Sequence, residues 1–271
     1  MIESARNLAR GFALPVALVA LWELVARAGL VSDYVLPAFS TVLAHLVAIA
    51  SGGGLWLHAG TSALRVGSGF AAGALLGIGT GLAVGLDRKV EAYLDPLLQA
   101  LRSVPSLAWV PLLLLWMGID EAPKITLIAV GAFFPVYLNT VSGIRGVDPR
   151  LIEVGRVFAL GRARVVWRIM LPASAPALLT GLRTGLGVAW LYVVAAELIA
   201  AEAGLGFMLT DGRELSRADM IFAAIALLAS CGKLSDGVLK AVERRLLRWH
   251  PGFTPPRRAL PPASAVASRT T

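Results

Sequence analysis

Apolar residues run through this chain in long blocks separated by short polar breaks. A bilayer-spanning helix needs about 20 mainly apolar residues. Six segments supply them, at 9–28, 62–86, 96–118, 123–143, 177–200 and 219–241. The pattern predicts an all-α polytopic membrane protein of about six transmembrane helices, one domain over residues 1–250. The tail, 251–271, is rich in proline, arginine and small residues and is expected to be disordered. The first span also has signal-peptide features: Arg6 and Arg10 precede the apolar run, and Ala26-Arg27-Ala28 imitates a cleavage site. Glu23 within the run and an even number of spans favour a retained anchor.

One polar stretch interrupts this pattern, from Arg145 to Pro176, with arginines at 145, 150, 156, 162, 164 and 168. Leu151, Val154, Val157 and Phe158 have helical spacing in one piece, and Val165, Val166 and Ile169 in another. Asp148 and Pro149 supply an N-cap and a first-turn proline. Gly161 is expected to divide the two pieces, and Leu171-Pro172 to end the second. Two short amphipathic helices outside the bilayer have the form of a docking element. Glu153 lies three residues from both Arg150 and Arg156, so these charges could instead solvate one another or bind lipid phosphates. That alternative leaves Leu151, Val154, Val157, Phe158 and Leu160 without a role.

Composition sharpens the class. The chain is 57% hydrophobic and only 15% charged over 271 residues, outside the soluble range. Its net charge of +8 does not fall on an aromatic-interleaved face, which argues against nucleic acid. The cations sit at the ends of apolar spans, and they set the orientation. With the N-terminus cytoplasmic, only Arg27, Arg65, Lys124, Arg213 and Arg217 fall outside and Lys233 lies within the last span; the other nineteen are inside. Both termini and the arginine-rich connector then face the cytoplasm. Residues 31–60 are expected outside as a turn, a short amphipathic helix and a glycine-rich exit. A tight loop at 118–122 and a longer one at 202–218 complete that side. The lone Cys231 forbids an intrachain disulfide, and His45, His58 and His250 lack metal-ligand spacing. No GxxxxGK[ST] loop occurs, so ATP-driven work falls to a partner, and the chain is expected to hold no cofactor or metal.

Within the spans, Gly69, Gly73, Gly77, Gly81 and Gly85 recur at every fourth residue. The stripe allows close helix packing, within one subunit or at a dimer seam. Gly181 and Gly185 are a weaker version. Pro96, Pro105, Pro111 and Pro135 mark the third and fourth spans as candidates to line a central route. Arg102, Ser103 and Ser106, with Pro135, Asn139 and Thr140, could meet a passing anion there. Arg102 and Arg183 serve equally as anchors that snorkel to headgroups. Glu197 is either a gate-shaping acid or a paired structural carboxylate, and Glu23 a local packing feature.

Glu153-Val154-Gly155, then Gly161, then Ile169-Met170-Leu171-Pro172 resemble the EAA motif of binding-protein-dependent ABC importer permeases. Val154 and Gly155 replace its two alanines, and glycine loosens a helix by about 1 kcal/mol relative to alanine. LPAFSTVL, the stretch from LDPLLQALRSVPSLAWV to GAFFPVYLNT, VAAELIAAEAGLGFML and GKLSDGVLKAVERRLLRW are similar to the aliphatic-sulfonate, nitrate and taurine branch. The likeness covers about residues 10 to 250.

The resemblance implies a type I ABC importer permease fold in a bacterial inner membrane. It implies a pore made by two copies, with two ATPase subunits beneath that bind ATP and Mg, and an external substrate-binding protein above. Leu151, Glu153, Val154, Gly155, Arg156, Val157, Phe158, Ala159, Leu160 and Gly161, with Leu171 and Pro172, would form the ATPase-coupling loop. The chain itself would not be an enzyme. Sulfonates are the first expected substrate, with nitrate and taurine behind them. A secondary transporter is the rival reading, but it has no need of a two-helix cytoplasmic dock.

Overall fold

A computed structural model describes residues 2–249, with side chains from residue 13 onward except residue 200. Among the described residues every regular element is helical. Helix α1 spans Ile2–Arg27, α2 Phe39–Ser51, α3 Gly54–Leu86 and α4 Arg88–Ser103. A 3₁₀ turn at Ser106–Trp109 leads into α5, Val110–Met117, and then α6, Glu121–Arg145. The connector holds α7, Pro149–Val157, and α8, Arg162–Val165. After them come α9, Leu171–Ala200, α10, Leu205–Glu214, and α11, Ala218–Leu246.

Glycines decide how the central three helices pack. A Cβ on Gly77 would lie 2.8 Å from the Phe133 carbonyl oxygen, and one on Gly81 2.7 Å from Thr140 Cβ. At Gly73 a Cβ would collide with the Ala129 carbonyl. The stripe therefore serves packing within the subunit, bringing the backbones of α3 and α6 together, and it is not a seam between subunits. Gly131 and Gly143 of α6, with Gly181 and Gly185 of α9, repeat the arrangement on the next face: a Cβ on Gly181 would lie 2.6 Å from Asn139 Cβ. In lipid, such close approach replaces the hydrophobic drive that packs helices in water. Val66, Ile128, Ala132, Leu186, Ala189 and Val193 fill the space between the three.

Helices α3, α6 and α11 run one way and α9 the other, which gives the bundle two ends. One carries the connector and the turn from α3 to α4. The other carries the starts of α3 and α6, the end of α9 and α10. Ion pairs tie the flanks: Arg183 Nε donates to Asp236 Oδ1 at 2.9 Å and Nη1 to Glu243 Oε2 at 3.2 Å, joining α9 to α11. Arg183 is thus a structural cation rather than a headgroup anchor. Tyr137 Oη donates to Asp95 Oδ1 at 2.9 Å, joining α6 to α4. Glu23 receives the backbone N–H and the hydroxyl of Ser40 and so tethers α1 to the first turn of α2.

Three expectations are corrected. The predicted third span, 96–118, is broken: α4 and the Ser106–Met117 segment meet at 86°. Val104, ahead of Pro105, takes an extended conformation with ψ 122°, as proline demands of its predecessor. The described residues hold four helices long and apolar enough to cross a membrane, five if this bent pair is one span, against the six predicted. The predicted first span falls partly outside the described side chains, and the predicted tail lies outside the described residues. Second, 202–218 is not a simple external loop. It contains α10, whose Leu205 and Met208 are fully buried beside Ala224 of α11.

The third correction concerns Leu171-Pro172, which does not end a helix. The chain stays helical from Arg162 to Ile199 through a π turn at Val166–Met170. There the Leu171 N–H reaches back five residues to the Val166 carbonyl. The wider turn accommodates Pro172 at the start of α9, where its missing donor costs least.

Candidate docking and transport site

The connector begins as its sequence dictates. Asp148 caps α7, its Oδ1 accepting from the Arg150 N–H at 2.9 Å, and Pro149 occupies the first turn. The helix ends in a Schellman turn: Leu160 N–H bonds to the Gly155 carbonyl at 3.0 Å, and Ala159 N–H to the Arg156 carbonyl at 2.9 Å. Ala159 takes the left-handed position with φ +51°. Gly161, the expected divider, does separate α7 from α8, but its φ of −63° is ordinary and a Cβ there would meet nothing.

A non-glycine residue in this left-handed conformation carries a cost of about 1–2 kcal/mol. Ala159→Gly should relieve about 1 kcal/mol of it after the added freedom of the unfolded glycine is set against it. The expected readout is slower amide hydrogen exchange at Leu160 with transport retained. Gly161→Ala should change neither.

Gly155 has a clear function in packing. It is buried in α7, and a Cβ there would approach Ile169 Cδ1 to 2.8 Å and Val165 Cγ2 to 3.2 Å. Glycine therefore lets α7 lie against the π turn at the root of α9. Around that anchor the remaining apolar side chains point away from the subunit: Leu151, Val154, Val157 and Phe158 are exposed, the last two at 83% and 73%. Glu153 and Arg156 are exposed with them. Among the described residues Glu153 forms no ion pair, so mutual solvation of the connector charges does not account for it.

Two arginines brace the connector from beneath. Arg162 Nη2 donates to the Leu86 carbonyl at 3.3 Å, capping the C-terminal end of α3. Arg145 Nη2 pairs with Glu91 Oε1 of α4 at 2.7 Å. The connector is thus joined to α3, α4 and α9. Through α4 it reaches the bend at Val104-Pro105.

Arg102, Ser103 and Ser106 are gathered at that bend, where Arg102 and Ser103 are exposed. Beside it an almost wholly apolar groove of about 400 Å³ lies among Leu76, Leu98, Leu101, Trp109, Phe133 and Phe134. Pro135 and Asn139 are half-buried in α6, where Asn139 Nδ2 donates to the Pro135 carbonyl at 2.8 Å. Thr140 is buried and its hydroxyl donates to the Val136 carbonyl at 2.7 Å. None of Arg102, Ser103, Ser106, Pro135, Asn139 or Glu197 lines the groove.

Glu197 is at the opposite end of the bundle, 1% exposed. It accepts from Ser62 Oγ at 2.7 Å, Arg65 Nη1 at 2.8 Å and the Gly206 N–H at 2.7 Å. Of the two readings open for it, the paired structural carboxylate matches these surroundings. Arg65 also makes a two-pronged contact with Glu121 at 2.6 Å on both arms, and Lys124 Nζ adds a third donor to Glu121 at 3.0 Å. The Ser62 hydroxyl in turn accepts from the Leu205 N–H at 2.8 Å. The carboxylate therefore caps the N-terminus of α10, where the helix dipole favours negative charge. Position 204, with φ +133°, takes only glycine, because a Cβ there would collide with that carboxylate. Ser62, Arg65, Glu121 and Lys124 were not singled out as a cluster by their order in sequence. A signal was available: an arginine eleven residues past the start of a glycine-rich apolar helix needs a buried acid, and Glu197 is the acid at matching depth.

Residues 73–248 match the profile of the family described as the inner membrane component of binding-protein-dependent transport systems. The chain belongs to that family. It is 43% identical over 244 residues to the putative aliphatic sulfonates transport permease protein SsuC of Bacillus subtilis (strain 168), covering 90% of this chain and 88% of that protein. It is 40% identical over 238 residues to the taurine transport system permease protein TauC of Escherichia coli (strain K12), covering 86% of each. The bicarbonate transport system permease protein CmpB of Synechococcus elongatus is 34% identical over 196 residues, 72% of this chain and 70% of that one. Among solved structures, an inward-facing form of the MetNI methionine ABC transporter superimposes with a TM-score of 0.58 at 19% identity. That match covers 68% of this chain and 94% of the other, and it establishes the shared fold. The permease is a membrane-spanning subunit, as the apolar helices required.

Proposed function

We propose that this permease carries a small organic anion across a bacterial inner membrane, an alkanesulfonate first, powered by a separate ATPase. Two copies of the chain would enclose the route, since the groove beside α4 and α5 is too apolar to carry an anion by itself. An external binding protein would deliver the substrate to the end bearing Glu121 and α10. The connector end would face the cytoplasm, because it collects most of the arginines.

The observation that carries this reading is the exposed apolar face of α7 on a connector braced to three spans. Leu151, Val154, Val157 and Phe158 supply grip, while Glu153, Arg156 and neighbouring arginines set orientation and partner choice. Closure of two ATPase subunits on ATP and Mg would draw the connectors together. Arg162 and Arg145 would pass that movement to α3 and α4, and the π turn to α9.

Sulfonate as first substrate is supported by the sulfonate permease relatives, with taurine, nitrate and bicarbonate as the competing anions. The test is ATP-dependent uptake into vesicles holding the permease, its ATPase and its binding protein. Labelled alkanesulfonate should accumulate in preference to taurine, nitrate and bicarbonate. Accumulation of another of these anions alone would replace the substrate, and accumulation without ATP would remove the mechanism.

A further inference from the structure

Helix α11 has two unlike faces. The inward one holds Asp236 and Glu243, which grip Arg183 of α9, and it ends at Leu247, 1% exposed. On the outward face Leu234, Val238 and Val242 recur every fourth residue, all exposed. That face continues into Arg245 and Arg248, with Arg244 at its flank. A shallow groove of about 600 Å³ follows it, lined by Val238, Ala241, Val242, Arg244, Arg245 and Arg248. Among the described residues none of these three arginines forms an ion pair, whereas Arg183 of α9 pairs with Asp236 and Glu243 on the inward face of the same helix.

The groove changes character along its length. Val238 and Val242 are its apolar half, on a helix long and apolar enough to cross a membrane, with Val242 in the turn next to the arginines. The three guanidinium groups form the other half, at the helix end where headgroups begin. A free anion has no use for the apolar strip. A water-soluble protein surface would not reach Val238. A molecule with a hydrocarbon chain joined to an anionic head satisfies both halves at once, and Arg matches phosphate oxygens with a planar fork of donors.

We propose that this groove binds one anionic phospholipid, its phosphate held by Arg244, Arg245 and Arg248 and an acyl chain lying along Val238 and Val242. The bound lipid fixes α11 and, through the Arg183 pairs, the middle of α9. This depends only on α11 crossing a membrane, and not on the substrate, the coupling step or the direction of transport.

The test is native mass spectrometry of the full chain in mild detergent, titrated with phosphatidylglycerol and with phosphatidylcholine of the same acyl chains. Phosphatidylglycerol should be retained and phosphatidylcholine should not. The triple variant Arg244→Gln, Arg245→Gln, Arg248→Gln should bind phosphatidylglycerol at least about tenfold more weakly. Val238→Asn with Val242→Asn should also weaken it, whereas Lys233→Gln with Lys240→Gln on the neighbouring flank should not. If the triple variant fails to insert, Arg245→Gln and Arg248→Gln singly carry the same comparison. Equal retention of both lipids, or unchanged binding in the arginine variants, overturns the proposal. So does displacement of the lipid by millimolar inorganic phosphate, which would mark a plain anion site. Loss of a partner subunit from the triple variant with its lipid retained would mark a protein interface instead.

Discussion

Deletion of Val157 and Phe158 is expected to abolish ATP-driven uptake while leaving the permease inserted in the membrane. These two side chains are 83% and 73% exposed at the tip of α7, and among the described residues nothing buries them. If a partner buries them, each contributes about 1.5–3 kcal/mol. Their loss should weaken ATPase docking by a hundredfold or more. Glu153→Arg should act on the same contact through charge. It places a fourth cation among Arg150, Arg156 and Arg162 and removes the one acid of the connector helix. A mismatch of sign at an interface slows encounter and disfavours the bound register. Co-purification of the ATPase and labelled uptake both read these variants. Full uptake together with undiminished ATPase recovery in both would remove the docking role from α7. A variant defective in uptake but normal in ATPase recovery would move the fault from docking to transmission, and Arg162→Gln would then be the next residue to examine.

The parts of this fold that are legible in the sequence are those set by a single local property. Long apolar runs specify α3, α6, α9 and α11, because a bilayer sorts segments by length and composition. The glycine period in α3 predicts a smooth face, and Asp148-Pro149 fixes the start of α7. The parts that are not legible depend on what a segment meets. Apolar character persists across Val104-Pro105, so hydropathy cannot distinguish a straight span from two helices at 86°. Residues 205–214 carry a threonine, an aspartate, an arginine and two glycines and read as a loop. Their burial comes from α11 alongside and from Glu197 at their head. The turn after α7 misleads in another way. The eye goes to Gly161, whereas the left-handed residue is Ala159, because the helix runs to the point where Gly155 packs on Ile169. Pro172 misleads by the same logic, since one widened turn lets the helix pass it.

The candidate site divides along the same line. The exposed connector residues are chosen by pattern alone, since amphipathic spacing outside the bilayer leaves an apolar face with no owner. The polar residues within the spans are not separable by pattern. Arg102, Ser103 and Ser106 meet at one bend, yet Asn139 is occupied with the Pro135 carbonyl and Glu197 with α10. A polar side chain at membrane depth must be satisfied by something, and sequence alone does not say whether that is the protein or the cargo.

Arg65→Met is expected to be the most damaging single substitution at the end of the bundle opposite the connector. Arg65 and Glu197 are 5% and 1% exposed, so neither charge is repaid by water if its partner is lost. Removing the arginine leaves Glu197 with only neutral donors, Ser62 Oγ and the Gly206 N–H. Breaking a buried pair in this way costs about 3–5 kcal/mol. Glu197→Gln should be milder, at about 1–3 kcal/mol for one mismatched buried donor. Arg65 keeps its two contacts with Glu121 in that variant, and a half-exposed Glu121 can still hold it. The double variant Arg65→Met with Glu197→Gln removes both buried charges, so its loss should fall short of the sum of the two singles by at least about 1 kcal/mol. Thermal inactivation of the detergent-solubilised chain ranks the three. The motion of α10 supplies a second reading, because Gly206 and Leu205 donate their first-turn N–H groups to Glu197 and Ser62. Amide exchange at those two residues should rise in both single variants. Strict additivity, with exchange at Gly206 unchanged, would mean that the pair does not hold α10 in place and that the end of the bundle is fixed by packing of Leu205 and Met208 alone.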